Sequence, residues 1–375
     1  MKLMHLSDLH LGKRLNEFSL IDDQKDIIIK ILNIIDDKKV DCVIIAGDVY
    51  DKSIASAEAV KLFDDFLSNL ARRNLKVFVI SGNHDSAERI AFGNRIMDNA
   101  GVYLSPVYNG NVKQITLDDE YGNVNIYLLP YVRPSIVRKY FEDEEILSYT
   151  DAMEVVIKSL DIDTSTRNVL ICHQFVTGAS RSDSEDISVG GLDNVNSEVF
   201  KDFDYVALGH IHNPQNIKTN IRYCGTPLKY SFSEANNIKT VTIVDLNKKG
   251  DIKIEEVPLQ PLRDLREIKG NYEHLVSKEY YQDTNKSDYL HITLTDEEEI
   301  YDAMAKLRTI YPNIMKLDYD NKRTRKNQLV DMDEEELKKS PLELFNGLYN
   351  KQNNADLNDK QKEFLQELID SIWRE

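Results

Sequence analysis

The sequence predicts a mixed α/β fold of two sheets flanked by helices, with a small α+β unit and a C-terminal helical pair behind it. Three observations carry this. Short β-branched runs recur: KLMHL (2–6), VDCVIIA (40–46), KVFVI (76–80), NVLIC (168–172) and DYVAL (204–208). Helical patterns separate the first three. From about residue 262 the rhythm shifts to shorter elements.

In chain order, residues 25–37 set Ile27, Ile28, Ile31, Ile34 and Ile35 on one broad face. Residues 57–72 do the same with Val60, Phe63, Phe66, Leu67 and Leu70. That spacing is the mark of a helix packed on one side, and its alternation with strands implies an α/β core. VNIYLLPYV (124–132) and the pair TVTIVDL (240–246) and DIKIEEV (251–257), joined by NKKG, have the pattern of hairpin strands. The sheet is therefore expected to be mixed and doubled. RDLREIKG, NYEHLVSKEY, DYLHITLTD, EEEIYDAMAKLRTIYP and NIMKLDYD then spell a compact β-α-β-α-β unit. NKRTRKNQ (321–328) is basic and polar, as a linker would be, and acidic DMDEEELKK follows it. Ser340-Pro-Leu-Glu343 is a capping box with Pro at the first helical position, and Asn358 and Gln361 repeat the logic for a last helix. The expected organisation is a main domain over 1–260, a second unit over 261–320, a linker over 321–339 and helices over 340–375.

Bulk composition narrows the chemistry. The chain has 375 residues, 41% of them hydrophobic, enough for a sizeable core. No stretch reaches the ~18–20 apolar residues of a membrane span. The N-terminus lacks a basic segment leading into an apolar one, so a cytoplasmic protein is expected. Cys42, Cys172 and Cys224 sit in or beside apolar runs without a C-x-x-C pair and are expected to be buried reduced thiols. Formal charge is −17, from 47 basic and 64 acidic residues. That balance argues against a nucleic-acid partner unless positive charge is supplied locally. Residues 331–375 carry 12 acids and 6 bases, so part of the excess sits in the tail. Metal ions could supply the missing positive charge.

The strand ends hold the chemistry. KLMHL runs into Asp8 and His10, VIIA into Asp48 and Asp51, and VFVI into Asn83, His84 and Asp85. NVLIC runs into His173, and YVAL into His210 and His212. Ligands of open α/β sheets bind beyond the carboxyl ends of the strands. Of eight histidines, five fall at these ends; His5 is assigned to packing or support, and His274 and His291 to ordinary roles. A bland reading exists for each motif alone: polar loops, tight turns and helix caps. Five in succession point to metal. Carboxylate, imidazole and amide donors without thiolate suit Mn²⁺ or a similar divalent ion. Asp8, His10, Asp48, Asn83, His173, His210 and His212 are too many for one ion but fill two sites if one carboxylate bridges. Two such ions ~3.5–4 Å apart clamp the attacking and leaving oxygens of a phosphoryl centre.

The series D-x-H, G-D, G-N-H-D, a separate His and G-H-x-H resembles the calcineurin-like metallophosphoesterases. S-D-S-E-D-I-S-V-G-G (182–191), Y-C-G-T-P-L-K-Y-S-F-S-E (223–234), P-L-R-D-L-R-E-I-K-G (261–270) and P-L-E-L-F (341–345) resemble the SbcD branch, the nuclease subunits of double-strand-break repair complexes. The resemblance implies a two-sheet metallophosphoesterase sandwich. It implies one ion held by Asp8, His10, Asp48 and His212, and another by Asp48, Asn83, His173 and His210. His84 would act on the scissile phosphate rather than as a ligand. Asp51 would hold His84 as a carboxylate–imidazole pair, although archaeal relatives carry histidine there. It further implies two divalent ions (Mn²⁺, with Mg²⁺ as the other candidate), DNA as substrate, a homodimer within a heterotetramer, a DNA-capping second domain and an SbcC-type ABC ATPase partner. The chain has no G-x-x-x-x-G-K-[ST] loop, so ATP dependence would come from that partner.

Two other functions compete. A phosphatase or cyclic-nucleotide phosphodiesterase could use the same core, but protein phosphatases continue these motifs as G-D-x-V-D-R-G and G-N-H-E. This chain has G-D-V-Y-D-K-S and G-N-H-D. An inactive scaffold would be expected to have lost ligands, and all seven are present. Phe364, Leu365, Leu368, Ile369 and Ile372 form an apolar face on the last helix. It could dock on its own domain or grip the ATPase partner. Lys322, Arg323, Arg325 and Lys326 are more simply a solvated linker than a DNA contact.

Overall fold

The computed structural model describes residues 1–183, 185, 194–322, 324, 340–353 and 356–372. Most of the linker expected over 321–339 and most of the Gly/Ser-rich segment at 182–191 lie outside the described residues. In one six-stranded sheet, β1 (Lys2–Leu6), β4 (Cys42–Ala46), β5 (Lys76–Ile80) and β6 (Val102–Leu104) are parallel neighbours. β13 (Thr240–Leu246) and β14 (Ile252–Pro258) continue it antiparallel beyond β1. β2 (Arg14–Leu15) and β3 (Phe18–Ser19) form a small ribbon of their own. A second six-stranded sheet has parallel β8 (Gly122–Leu129), β9 (Arg167–His173), β10 (Tyr205–Gly209) and β12 (Ile221–Tyr223). Antiparallel β7 (Lys113–Asp119) and β11 (Gln215–Lys218) close its two edges.

Side-chain alternation makes these sheets the middle of a layered stack. In β4, Cys42, Ile44 and Ala46 join the cluster between the sheets, while Val43 and Ile45 join the cluster under the helices. In β10, Tyr205 and Ala207 face the first sheet, while Val206 and Leu208 face outward. Helices α1 (Ile21–Lys38) and α2 (Ala57–Arg72) cover the first sheet with Ile27, Ile31, Phe63, Phe66 and Leu70. Val60, expected on that face, is 47% exposed. A helix over Tyr149–Lys158, capped by Ser148 and Asp151, covers the second sheet with Met153 and Val156. Each fully buried Leu, Ile or Val contributes ~1.5–3 kcal/mol, so three such clusters hold the strand ends rigidly. The three cysteines are free and buried, as expected.

The described chain divides into two compact units. The first comprises Met1–Lys269, Glu273–Thr293 and Asp302–Asp318. It includes most of a three-stranded sheet of β15 (Leu265–Gly270), β16 (Tyr289–Leu294) and β17 (Ile314–Tyr319). Leu265 and Tyr289 share the buried cluster of α1, and Arg263 pairs with Asp23 at 2.7 Å. The second unit comprises Gly270–Tyr272, Leu294–Tyr301 and Tyr319–Glu375. It holds helices over Pro341–Asn353 and Asp359–Ile372. Both are capped reciprocally: Glu343 N–H donates to Ser340 Oγ (3.3 Å) and Ser340 N–H to Glu343 Oε2 (2.7 Å), with Asn358 and Gln361 doing the same at 3.0 and 2.9 Å. Among the described residues no helix is long and apolar enough to cross a membrane.

Candidate metal centre

The carboxyl ends of β1, β4 and β5 meet those of β9 and β10, and the sequence explains how closely. Three of the five motifs, G-D, G-N-H-D and G-H-x-H, carry a glycine where a side chain would collide. A Cβ on Gly47 would lie 2.4 Å from His173 Nδ1, one on Gly82 2.1 Å from Asp48 Oδ1, and one on Gly209 1.9 Å from the Ala46 carbonyl. Asp8 (φ 52°), His10 (φ 43°), Asp48 (φ 47°) and His210 (φ 99°) adopt the left-handed backbone that non-glycine residues avoid. Such strain persists only where the surroundings over-determine it. Here the backbone is fixed from both sides: the His210 N–H donates to Asp8 of the other sheet at 3.1 Å, and the His10 N–H to the Asp48 carbonyl after the neighbouring strand at 3.0 Å.

The structure brings all seven expected donors together. Asp8, His10 and His212 form one group of donor atoms within 4.8 Å of one another, and Asp8, Asp48 and His173 form another. His10 Nε2 faces His212 Nε2 at 3.2 Å and lies 3.8 Å from Asp48 Oδ2. Asn83 Oδ1 lies 2.9 Å from His173 Nε2 and 3.0 Å from His210 Nδ1, and Asp48 Oδ2 is 3.4 Å from His173 Nε2. Asp48 thus stands between the His10 side and the His173 side, and Asp8 also belongs to both donor groups. The His173 Nδ1–H donates to the Ala46 carbonyl at 2.9 Å, which turns Nε2 toward the pocket.

Electrostatics make the pocket one that calls for cations. Burial lowers His10 well below the usual imidazole range, and burial together with His173 lowers His210 to about 3. Neutral imidazole is the form that ligates metal. Burial pushes Asp8 up to about 6. Burial opposes ionisation of Asp48 too, yet His173 and His10 hold its pKa below the ordinary range. His173 would be lowered by burial but is raised to about 9 by the Asp48 carboxylate. A set of buried oxygen and nitrogen donors with no thiolate fits two divalent ions.

Residues 1–214, more than half of the chain, match the family model of the calcineurin-like phosphoesterases. The chain is 36% identical over 324 residues to SbcD of the SbcCD nuclease from Staphylococcus epidermidis, covering 84% of this chain and 85% of that protein. This chain belongs to the SbcD family of calcineurin-like phosphoesterases. It is 34% identical over 322 residues to SbcD of the SbcCD nuclease from Staphylococcus saprophyticus, covering 84% of each. Residues 261–353 match the model of the type 5 capsule protein repressor C-terminal domain. A dimetal phosphatase from Danio rerio superposes with a TM-score of 0.41 at 10% identity, over 70% of this chain and 98% of that one. As an SbcD-family member, the chain is a metal-dependent hydrolase of phosphate esters.

The expected Asp51–His84 carboxylate–imidazole pair is corrected. His84 Nδ1–H donates to the backbone carbonyl of Asp51 at 3.1 Å. The Asp51 carboxylate instead pairs with Lys13 at 2.7 Å and lies 3.9 Å from His10 Nδ1. His84 is 24% exposed beside nearly inaccessible donors, with Nε2 4.0 Å from Asp48 Oδ2.

Three supporting residues of this SbcD-family chain were not assigned from sequence. Asp85 accepts the N–H groups of Val49, Tyr50 and Gly82 at 3.0–3.1 Å, tying the β4 and β5 loops together. The G-N-H-D motif contained it, but nothing in the motif says that it binds backbone. Glu234 and Lys239 form a buried pair behind His212. The S-F-S-E stretch was a signal of the branch, without a role.

Proposed function

We propose that this chain is the nuclease subunit of an SbcCD-type complex, a DNA phosphodiesterase that uses two divalent ions, Mn²⁺ for preference. It acts as a 3′–5′ exonuclease on duplex DNA and an endonuclease on single strands or hairpins, in the processing of DNA ends for repair and recombination. The convergence of seven donor side chains from five strand ends of two sheets carries this reading. Asp8, His10, Asp48 and His212 hold one ion; Asp48, Asn83, His173 and His210 hold the other. Bound there, the ions supply Lewis-acid charge at the phosphoryl oxygens and a nucleophile from water. His84 acts on the scissile phosphate, stabilising its charge or protonating the leaving oxygen. The Asp51 carbonyl accepts from Nδ1–H and so fixes the orientation of the ring at the rim of the pocket.

The remaining assignments belong to the same reading. Residues 261–320 cap the DNA, and two copies of the chain pair within a heterotetramer. The C-terminal helices grip an ABC-type ATPase: Phe364 is 66% and Leu368 45% exposed, apolar surface that a partner would cover. A cytoplasmic location goes with this function. The test is hydrolysis of duplex and hairpin DNA with Mn²⁺ or Mg²⁺, alone and with the ATPase partner plus ATP. Metal-dependent cleavage lost on chelation is expected. Hydrolysis of small phosphate esters with no cleavage of any DNA would transfer the chain to the phosphatases.

A further inference from the structure

The two donor clusters are backed differently. Behind His173 stands a neutral group, the Ala46 carbonyl, 2.9 Å from Nδ1. Behind His212 stands a buried ion pair. Glu234 Oε1 lies 3.7 Å from His212 Nδ1, too long for a hydrogen bond but close for a charge. The other carboxylate oxygen pairs with Lys239 Nζ at 2.5 Å, and that ammonium also donates to the His212 carbonyl at 2.9 Å. Both side chains are almost inaccessible, Glu234 at 0% and Lys239 at 4%. The His212 backbone is held besides by its N–H to Glu185 (2.6 Å) and by the Thr226 N–H to its carbonyl (3.0 Å).

Burying such a pair adds little stability, because desolvating both charges costs about what their attraction returns. Its position suggests what it does instead. A carboxylate behind an imidazole raises the basicity of the nitrogen on the far side, and a carbonyl dipole does so less. The nitrogen on the far side of His212 is Nε2, the atom that faces His10. The Lys239 ammonium, 2.5 Å from the other oxygen, gives the buried Glu234 carboxylate its counter-charge. Lys239 anchors the carboxylate from one end and the His212 backbone from the other.

We infer that the Glu234–Lys239 pair makes the two metal positions unequal, so that the ion held with His10 and His212 binds more tightly than the ion held with His173 and His210. Glu234 and Lys239 are positioning residues that act through His212. This rests on the two-ion reading above and adds which ion is retained when metal is scarce.

The test is Mn²⁺ binding to the full chain stripped by chelation, followed by calorimetry and electron paramagnetic resonance. The unsubstituted chain shows two unequal constants. Glu234→Gln weakens the tighter one by about 10–100-fold and leaves the looser one unchanged. The double variant Glu234→Gln with Lys239→Gln removes both charges together, so no buried charge is left unpaired to unfold the chain, and gives the same selective loss. In a His210→Ala background one tight site survives and still responds to Glu234→Gln. Equal weakening of both sites, no change in either, or loss of the tight site with His210→Ala overturns the inference. A chain that binds two ions in this way yet cuts no DNA defeats the nuclease reading and leaves this one standing. A chain that binds no Mn²⁺ overturns both.

Discussion

Gly209→Ala tests whether the close approach of the two sheets makes the site. Gly209 ends β10 against β4 of the other sheet, and its Cβ would sit 1.9 Å from the Ala46 carbonyl oxygen and 2.6 Å from His173 Nδ1. Real Cβ contacts essentially never fall below 3.0 Å, so the gap between strands must open by at least about 1.1 Å. Neither neighbour is a flexible tip: one is backbone in a central strand, and the other is a ring held by that same carbonyl. Overpacking of this kind costs about 1–3 kcal/mol. In a domain of this size that lowers Tm by several degrees. The larger effect falls on chemistry, because His173 and His210 move relative to Asp48 and Asn83. A displacement of about 1 Å in a catalytic constellation can cost ~100-fold in rate. The assay is Mn²⁺-dependent cleavage of duplex DNA beside a thermal melt. Gly93→Ala serves as control, since nothing lies within 4 Å of its Cβ and only its positive φ is strained. If Gly209→Ala cleaves and melts like the unsubstituted chain, the two sheets do not need this contact and the reasoning fails.

Other expectations follow from the same geometry. His84→Ala is expected to lower turnover greatly while bound metal per chain, measured by mass spectrometry, stays the same; cleavage at the original rate removes His84 from the chemistry. Asp85→Ala strands the N–H groups of Val49, Tyr50 and Gly82 and is expected to cost about 3 kcal/mol in urea unfolding. A midpoint that does not move would show that these donors find other partners. Deletion of residues 335–375 is expected to abolish co-purification with the ATPase partner and to spare metal-dependent cleavage; retained co-purification moves the docking surface elsewhere. Arg167, with the N-terminal ammonium, holds Asp119 below the usual carboxylate range. A lowered folded-state pKa gives stability that is present above the unfolded value of about 3.9 and is lost as pH falls toward the folded one. Asp119→Asn is therefore expected to flatten the fall of Tm below about pH 4. An unchanged acid slope would exclude this carboxylate as its source.

Much of the core and the seven polar side chains that gather at the strand ends were legible in the sequence because they are local signals. An apolar β-branched run that stops at a glycine and continues in Asp, Asn or His marks a buried strand delivering polar groups to an edge, and β1, β4, β5, β9 and β10 each end in such groups. The caps at Ser340 and Asn358 were equally plain, since a side chain three residues away supplies the partner. The edge strands were not. β7 alternates half-exposed and exposed residues, β11 has no buried residue, and three-residue β12 is too short to announce itself. The Asp51 reading went astray for another reason: the group that holds His84 is a backbone carbonyl, which every residue has and no sequence can mark.

Residue order alone told which polar side chains stand at the strand ends and in what sequence the strands present them. That Asp48 stands between the two groups, that Gly209 lets one sheet touch the other, and that Glu234 and Lys239 lie behind His212 emerged from the folded arrangement. Those relations join residues up to about 160 positions apart or pass through backbone atoms, and neither leaves a periodicity or a motif to read.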